Sequence, residues 1–154
     1  MRRILSALAV CGGLAATTVV AQPAQAADRW PHRLQNVATY QCLAATTNRQ
    51  VYQAPCGDGP ATVLNRWMID VESGTNQRVR HVYTDKCLDT DGTKVYVSTC
   101  SAADPGQKWD QMERGARWRA FNGEFLTAWN AGPVTVADLE EMDNFEKGKW
   151  GLLS

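Results

Sequence analysis

The sequence predicts an all-β domain built from three similar units. Two pairs of cysteines recur at nearly the same spacing, and a tryptophan follows each pair, which indicates an internal repeat. Short runs of β-forming residues alternate with turn residues such as Asp91-Gly92, a dipeptide that favours hairpins. Before Ala137 there is no sustained helical period, and Val136 to Phe145 is typical of a loop or a short helical turn. Units of about 40 residues with a few short strands cannot each bury a core, so we expect the three to share one.

The first 26 residues have the pattern of a secretory signal peptide. Two arginines precede an uncharged run, 4–21, and the small-residue pattern Ala24-x-Ala26 follows it. One alternative is an uncleaved membrane anchor, because the run approaches the ~20 residues that span a bilayer. Another is a lipoprotein modified at Cys11. Glycines and threonines weaken the run, so we expect cleavage after Ala26, a secreted and extracellular chain, and no membrane span thereafter.

Removing this segment changes the cysteine count and the charge. The full chain has five cysteines, 16 basic residues and 16 acidic residues. Without Cys11, Arg2 and Arg3, the mature chain 27–154 has four cysteines and a formal charge of 14 − 16 = −2. An even number of cysteines suits an exported, oxidised domain, although four cysteines allow three pairings. The lack of a basic excess argues against a nucleic-acid partner.

The first two units align by their cysteines. In the first unit the cysteines lie 14 residues apart and the tryptophan follows 11 residues later, whereas in the second the intervals are 13 and nine. The residues concerned are Cys42, Cys56 and Trp67 in the first unit, and Cys87, Cys100 and Trp109 in the second. A third unit keeps the first unit's intervals without cysteines, with Phe125, Leu139 and Trp150 at these positions. Phenylalanine and leucine can bury comparable surface without oxidation. The units cover about 31–72, 73–113 and 114–154.

These motifs resemble the ricin B-chain type of β-trefoil lectin. The first two units carry segments of Cys-Leu-Asp type, and all three end in a motif of Gln-x-Trp type. The terminal motifs are Asn65-Arg66-Trp67, Gln107-Lys108-Trp109 and Gly148-Lys149-Trp150. The resemblance covers about residues 31–154, and it implies a β-trefoil of twelve short strands with the repeat tryptophans in the core. It also implies the disulfides Cys42–Cys56 and Cys87–Cys100, each worth roughly 3 kcal/mol in the chain-entropy model.

The same resemblance implies a sugar site in the second unit. In the family, a galactose-type sugar is held by the aspartate after Cys-Leu, by a glutamine and an aromatic residue before the second cysteine, and by polar residues at Gln-x-Trp. Asp89 and Gln107 match two of these positions. Ser98 replaces the aromatic residue and Gly106 an asparagine, while Tyr96 stands at the glutamine position. We expect Tyr96 to supply the stacking ring, so the predicted carbohydrate-binding residues are Asp89, Tyr96 and Gln107.

Structural roles compete with these functional ones. Asp89 can instead cap the turn at Asp91-Gly92, and Gln107 can be a structural hydrogen-bonding residue. The first unit has Ala44 at the aspartate position and the third has Thr127, so neither is expected to keep a site. The tryptophans outside the repeat motif are Trp30, Trp118 and Trp129, of which Trp129 is a candidate contact residue if it is exposed.

No motif indicates an enzyme, a metal site or a cofactor. The Asp89-x-Asp91 segment lacks the later ligand and the glycine of a calcium loop. The two histidines, His32 and His81, lie far apart in the chain, and the mature cysteines are expected to pair, which argues against zinc. No nucleophile elbow, phosphate loop or metalloprotease motif is present in the sequence.

Two functions therefore compete. The leading prediction is a secreted carbohydrate-binding module with at most one, incomplete sugar site in the second unit, whose partner is a galactose-type sugar or a polysaccharide. The alternative is a degenerate β-trefoil without sugar binding that acts as a protein-interaction module, such as a toxin delivery subunit or an inhibitor. The positions lost in two units favour the alternative, whereas Asp89 and Gln107 favour the first.

Overall fold

The computed structural model describes residues 30–57, 60–73, 76–113, 116–130 and 132–154. The predicted signal peptide lies outside these residues, and so does Asp58-Gly59, where the sequence also predicts a turn. The strands are β1 (Arg33–Asn36), β2 (Cys42–Ala45), β3 (Val51–Ala54), β4 (Trp67–Ser73), β5 (Asn76–His81), β6 (Cys87–Thr90), β7 (Val95–Ser98), β8 (Trp109–Met112), β9 (Arg117–Arg119), β10 (Phe125–Ala128), β11 (Val134–Ala137) and β12 (Trp150–Leu153). Short 3-10 turns cover Pro60–Asn65, Pro105–Gln107, Leu139–Glu141 and Phe145–Gly148. The all-β prediction, with four strands in each unit, is confirmed.

Six of these strands form a closed ring. Antiparallel pairing joins β12 to β1, β4 to β5, β5 to β8 and β8 to β9. A bridge between His32 and Trp67, with both backbone hydrogen bonds at 2.8 Å, joins the start of β1 to β4. The Trp150 N–H donates to the Ala116 carbonyl at 2.6 Å and links β12 to the start of β9. The ring is therefore a barrel to which each unit contributes its first and fourth strands.

The other six strands form three hairpins, β2–β3, β6–β7 and β10–β11. Isolated bridges join each hairpin to the other two, at Gln50–Tyr96, Lys94–Thr135 and Tyr52–Pro133. Each crevice between hairpins is consequently lined by residues of two different units, and this arrangement positions the candidate sites.

Three equivalent tryptophans lie at the centre of the core. Trp67, Trp109 and Trp150 are fully buried. Their indole N–H groups donate to the carbonyls of Leu43, Leu88 and Leu126 at 2.8, 3.1 and 2.8 Å. The same bond in all three units satisfies the polar atom of each buried ring, as burial requires. Of the other tryptophans, Trp118 is buried, Trp129 is half-buried and Trp30 is 75% exposed.

Both predicted disulfides are confirmed. Cys42–Cys56 and Cys87–Cys100 have Cα–Cα distances of 5.1 and 5.0 Å. Cys42 and Cys87 open β2 and β6, and Phe125 opens β10 in the same way. Phe125 is half-buried, with the Arg117 guanidinium 5.7 Å from its ring centroid. The third unit therefore replaces a covalent link by non-covalent packing.

Candidate functional site

A pocket of about 500 Å³ lies beside the β6–β7 hairpin of the second unit. Its lining residues are Arg49, Lys86, Asp89, Tyr96, Ser98, Thr99 and Asp104. Two of the three predicted binding residues, Asp89 and Tyr96, line it, and they are direct cross-strand partners on β6 and β7. Gln107 lies behind this lining and is only 1% exposed.

Asp89 is a buried carboxylate at the pocket wall, with 3% exposure. Its Oδ2 accepts a short hydrogen bond from the Ser98 hydroxyl and a longer one, 3.4 Å, from Gln107 Nε2. In the part of the chain that the structure describes, no residue donates a hydrogen bond to Oδ1. The side chain is therefore held in one orientation through a single oxygen.

Gln107 fixes the loop beneath Asp89. Its Oε1 accepts from the Ser101 N–H at 2.8 Å, and its Nε2 donates to the Thr99 carbonyl at 2.9 Å and to Ser98 Oγ at 2.7 Å. These bonds engage both the oxygen and the nitrogen of the side-chain amide. Gln107 therefore has the structural hydrogen-bonding role that the sequence left open as an alternative. Gln107 acts on the pocket through Asp89 and Ser98.

The hairpin turn is capped by Asp91. Its Oδ1 accepts from the Thr93 N–H at 3.0 Å and the Lys94 N–H at 2.8 Å. Gly92 has a φ of 94°, a conformation that glycine adopts without strain. Asp91 rather than Asp89 therefore caps this turn, so turn capping does not explain why an aspartate stands at position 89.

Gly106 is required by a close approach of the chain to itself. A Cβ at this position would lie 2.3 Å from the Thr90 carbonyl oxygen and 2.4 Å from Asp89 Oδ1. In the sequence, this glycine is notable only because it stands where the family has an asparagine. In the structure, Asp89 occupies the space that a side chain at 106 would need.

The Tyr96 ring is held by an arginine of the first unit. Arg49 Cζ lies 5.1 Å from the ring centroid, and Arg49 Nε donates to the Val97 carbonyl at 3.2 Å. Burial raises the pKa of the Tyr96 phenol, and the carboxylates of Asp89, Asp91 and Asp104 raise it further, so the hydroxyl stays protonated at neutral pH. The sequence did not indicate Arg49, which lies in the first unit, or Lys86, which precedes Cys87 but is not one of the family's sugar-binding positions.

The corresponding positions of the other units differ. In the third unit Thr127 is fully buried, and its hydroxyl donates to the Phe125 carbonyl at 2.7 Å and lies 4.0 Å from the Met142 sulfur. A Cβ at Gly148 would lie 2.9 Å from Arg117 Nη1 and 3.1 Å from Met142 Cε. In the first unit Ala44 is buried and offers no carboxylate. Neither position has the aspartate of the second unit.

A second groove, of about 530 Å³, lies between the first and third units and was not predicted. Its lining residues are Thr39, Gln41, Gln53, Asn130 and Gly132. The third unit's contribution comes from its hairpin turn, so reading each unit separately does not reveal the groove.

Among the described residues, no three or more His, Cys, Asp or Glu side chains are grouped so that they could hold a metal ion. Asp89 and Asp91 follow each other closely in sequence but have separate hydrogen-bond partners. Within the same residues, no helix has the length and apolar character needed to cross a membrane.

Three similar four-stranded units form one six-stranded barrel and three hairpins around shared tryptophans, and this architecture is a β-trefoil. The family model for the ricin-type beta-trefoil lectin domain matches residues 30–136, more than two thirds of the sequence. The chain therefore belongs to the ricin-type β-trefoil lectin domain family. No curated protein sequence matches the chain.

Several solved structures share the fold at low sequence identity. Cry35Ab1 is 20% identical with a TM-score of 0.68, and the match covers 80% of this chain and 35% of that one, so this chain spans about a third of its length. A chain of the cytolethal distending toxin from Actinobacillus actinomycetemcomitans is 14% identical with a TM-score of 0.69, over 79% of this chain and 89% of that one. The Polyporus squamosus lectin, bound to the epitope Neu5Aca2-6Galb1-4GlcNAc, is 20% identical with a TM-score of 0.62, over 80% and 48%.

Proposed function

We propose that the chain is a secreted carbohydrate-binding module and that the second-unit pocket holds a galactose-type sugar. The observation that carries this proposal is the Asp89 carboxylate, which is fixed by Ser98 and Gln107 and keeps Oδ1 free of donors from the described residues. A fixed carboxylate in an open pocket can accept hydrogen bonds from sugar hydroxyls, and such charge-assisted bonds are stronger than neutral ones.

Tyr96 supplies the aromatic contact in this proposal. Its ring lines the pocket, and its protonated phenol can also donate a hydrogen bond. Arg49 holds the ring from one side, and Gln107 is a positioning residue for Asp89. Because Arg49 and Lys86 add two positive charges, both neutral and sialylated galactosides belong among the ligands tested.

We expect binding without hydrolysis. Asp89 and Asp104 both line the pocket, and each already accepts hydrogen bonds, Asp89 from Ser98 and Asp104 from the Gly106 N–H at 3.0 Å. Two anchored acceptors suit the recognition of hydroxyl groups. Recovery of the bound glycan intact after prolonged incubation tests this point, and cleavage would contradict it.

The test is a glycan array with the mature chain and an isosteric variant. Asp89→Asn keeps the shape and an acceptor for Ser98 but removes the charge, so we expect binding to weaken by about tenfold or more. Asp91→Asn is the matched control, because Asp91 lies in the same hairpin outside the pocket lining and asparagine also caps turns. Undiminished glycan binding by Asp89→Asn would show that the second-unit pocket is not the site.

The second candidate function is a protein-interaction module without sugar binding. The filled third-unit position and the loss of the aspartate at Ala44 favour it. The similarity to a chain of the cytolethal distending toxin gives a precedent for this fold within a toxin. If no glycan on the array binds, capture of a defined protein partner by the mature chain would support this candidate.

Export is also a proposal, supported by the two disulfides, which persist in oxidising compartments. Expression of the full sequence in a secreting host should release a product whose first residue is Ala27. Retention of the whole chain in the cell would contradict this proposal.

A further inference from the structure

One structural position is shared by the three units, and in the second unit it is a buried histidine. The residue at this position closes the turn between the first and second strands of its unit. Its backbone N–H donates to the carbonyl of the residue that precedes the repeat cysteine or Phe125. The three residues are Asn36, His81 and Ala120, with bonds of 2.8, 2.7 and 2.8 Å. Of the three, His81 alone has a side chain that titrates near neutral pH.

In the first unit, the Asn36 side chain ties this turn to a neighbouring segment. Its Nδ2 donates at 2.7 Å to the carbonyl of Lys147, which lies three residues before a repeat tryptophan. Its Oδ1 accepts from the Thr39 N–H in the turn at 3.1 Å. An amide carries no charge, so this connection does not respond to mild acid. In the third unit, Ala120 has no polar side-chain atom to make it.

His81 makes the same two connections with an imidazole ring. Its Nε2 lies 2.9 Å from the carbonyl oxygen of Leu64, again three residues before a repeat tryptophan. Because a carbonyl only accepts, Nε2 is assigned the ring proton and Nδ1 is an acceptor. Nδ1 lies 2.9 Å from Thr84 Oγ1 and accepts from the Thr84 N–H at 3.4 Å. The closed turn therefore suits the neutral ring, since a proton on Nδ1 would face this N–H.

The surroundings of His81 also disfavour a positive charge. The ring is fully buried, and the Trp67 ring lies against it with the centroids 4.8 Å apart. Both hydrogen-bond partners of the imidazole are uncharged. Burial accordingly lowers the pKa of His81.

The charged side chains of the adjoining segments are engaged elsewhere. They are Arg66, Arg80, Asp85 and Lys86, and the segment Pro60–Asn65 has none. Arg80 pairs with Asp85 at 2.8 Å and with Asp70 at 3.4 Å, while Lys86 lines the second-unit pocket. Asp85, the nearest acidic residue in the turn, therefore has its own cation and does not pair with the His81 ring.

Opening of the turn 82–86 lets water reach the ring. In the open turn, the imidazole regains its ordinary pKa of ~6.5, so it binds a proton more tightly than in the closed turn. Acid therefore favours the open turn. The Cys87–Cys100 disulfide holds the chain directly after Lys86, so the opening is a local event rather than global unfolding.

We propose that the turn 82–86 is an acid-sensitive element that neutral His81 holds closed against Pro60–Asn65 and that protonation of His81 releases. Release moves Lys86 away from the wall of the second-unit pocket. The equivalent turns of the first and third units do not respond, because Asn36 and Ala120 do not titrate. This behaviour does not depend on whether the pocket binds a sugar, so it stands apart from the proposed function.

The test is amide hydrogen exchange of the mature chain by NMR, from about pH 7 to about pH 5. The reporters are the N–H groups of His81 and Asp85, which donate to the Lys86 and His81 carbonyls at 2.7 and 2.9 Å. Below about pH 6.5, their protection factors should fall by up to about tenfold per pH unit. The N–H groups of Asn36 and Tyr40 are the internal control, because they make the same bonds at 2.8 and 2.9 Å and should keep their protection.

His81→Asn copies the first unit's residue into the second unit. We expect this variant to fold and its Asp85 amide to keep the same protection across the pH range. His81→Ala, which copies the third unit, is a second variant with the same expectation. The comparison of the turns within the wild-type chain decides the question even if neither variant folds.

Four results would each overturn the proposal. The first is constant protection of His81 and Asp85 over this pH range, and the second is an equal fall at Asn36 and Tyr40. The third is a fall that persists in His81→Asn, since another group would then be responsible. The fourth is an NMR titration of the His81 ring that gives a pKa at or above the ordinary value.

Discussion

The substitution Gly106→Ala tests the packing that places Asp89 in its pocket. The added Cβ would lie 2.3 Å from the Thr90 carbonyl oxygen and 2.4 Å from Asp89 Oδ1. The Asp89 carboxylate can rotate away, but the Thr90 carbonyl belongs to the β6 backbone, so part of the clash needs a backbone shift. Overpacking of this kind costs about 1–3 kcal/mol. For a domain of this size, each kcal/mol lowers the melting temperature by roughly 3–5 °C.

Thermal unfolding and glycan binding, measured on the same variant, are the assays. We expect the melting temperature to fall by roughly 3–15 °C and glycan binding at the second-unit pocket to weaken, because Asp89 loses its orientation. Gly151→Ala is the control, since a Cβ there would meet nothing closer than the Gln35 carbonyl oxygen at 3.9 Å. A Gly106→Ala protein that melts and binds like the wild type would refute the close approach of β6 to this loop.

Three further predictions concern stability. Replacing Cys87 and Cys100 by alanine should lower the free energy of unfolding by about 3 kcal/mol in chemical denaturation, and an unchanged midpoint would contradict it. Burial lowers the pKa of His81, which stays neutral with Nε2 2.9 Å from the Leu64 carbonyl. The unfolded chain therefore binds the proton more tightly than the folded chain. Neutral His81 stabilises the fold fully above about pH 6.5, and this stabilisation is lost as the pH falls through the lower folded pKa. In thermal melts across this pH range, the loss of stability should be smaller for His81→Gln. Trp109→Phe should cost roughly 1–3 kcal/mol, because it leaves the buried Leu88 carbonyl unpaired, and a neutral effect on melting would argue against that bond.

The fold was predictable from the sequence because its determinants recur at fixed intervals. The cysteine pairs and the three repeat tryptophans each mark the same structural position in every unit that carries them. Phe125 is recognisable as the third equivalent of the first cysteine because leucine follows it and because the intervals to Leu139 and Trp150 match those of the first unit. A repeat of this kind remains recognisable in the sequence even where one unit has lost individual residues.

The candidate site was predictable only in part, because a motif within one unit cannot show what the next unit contributes. Asp89 and Tyr96 face each other across one hairpin, and the resemblance to the family was enough to assign both to one site. Arg49 reaches Tyr96 from a different unit. Gly106 has no side chain to suggest a role, and its importance comes from a contact with β6 that only the folded chain makes.

The distribution of hydrogen bonds explains how the three crevices could diverge while the fold did not. The indole N–H of each repeat tryptophan bonds a leucine carbonyl at 2.8–3.1 Å, and these bonds involve no hairpin side chain. Asp89, Ala44 and Thr127 occupy equivalent hairpin positions, yet the tryptophan–leucine bond is the same in all three units. Among the described residues, the crevices have accordingly taken three chemical forms: charged in the second unit, uncharged between the first and third, and filled by Met142 in the third. If this separation holds, Asp89→Asn should change ligand binding at the second-unit pocket without lowering the melting temperature, whereas substitutions of the repeat tryptophans should lower it in every ligand state.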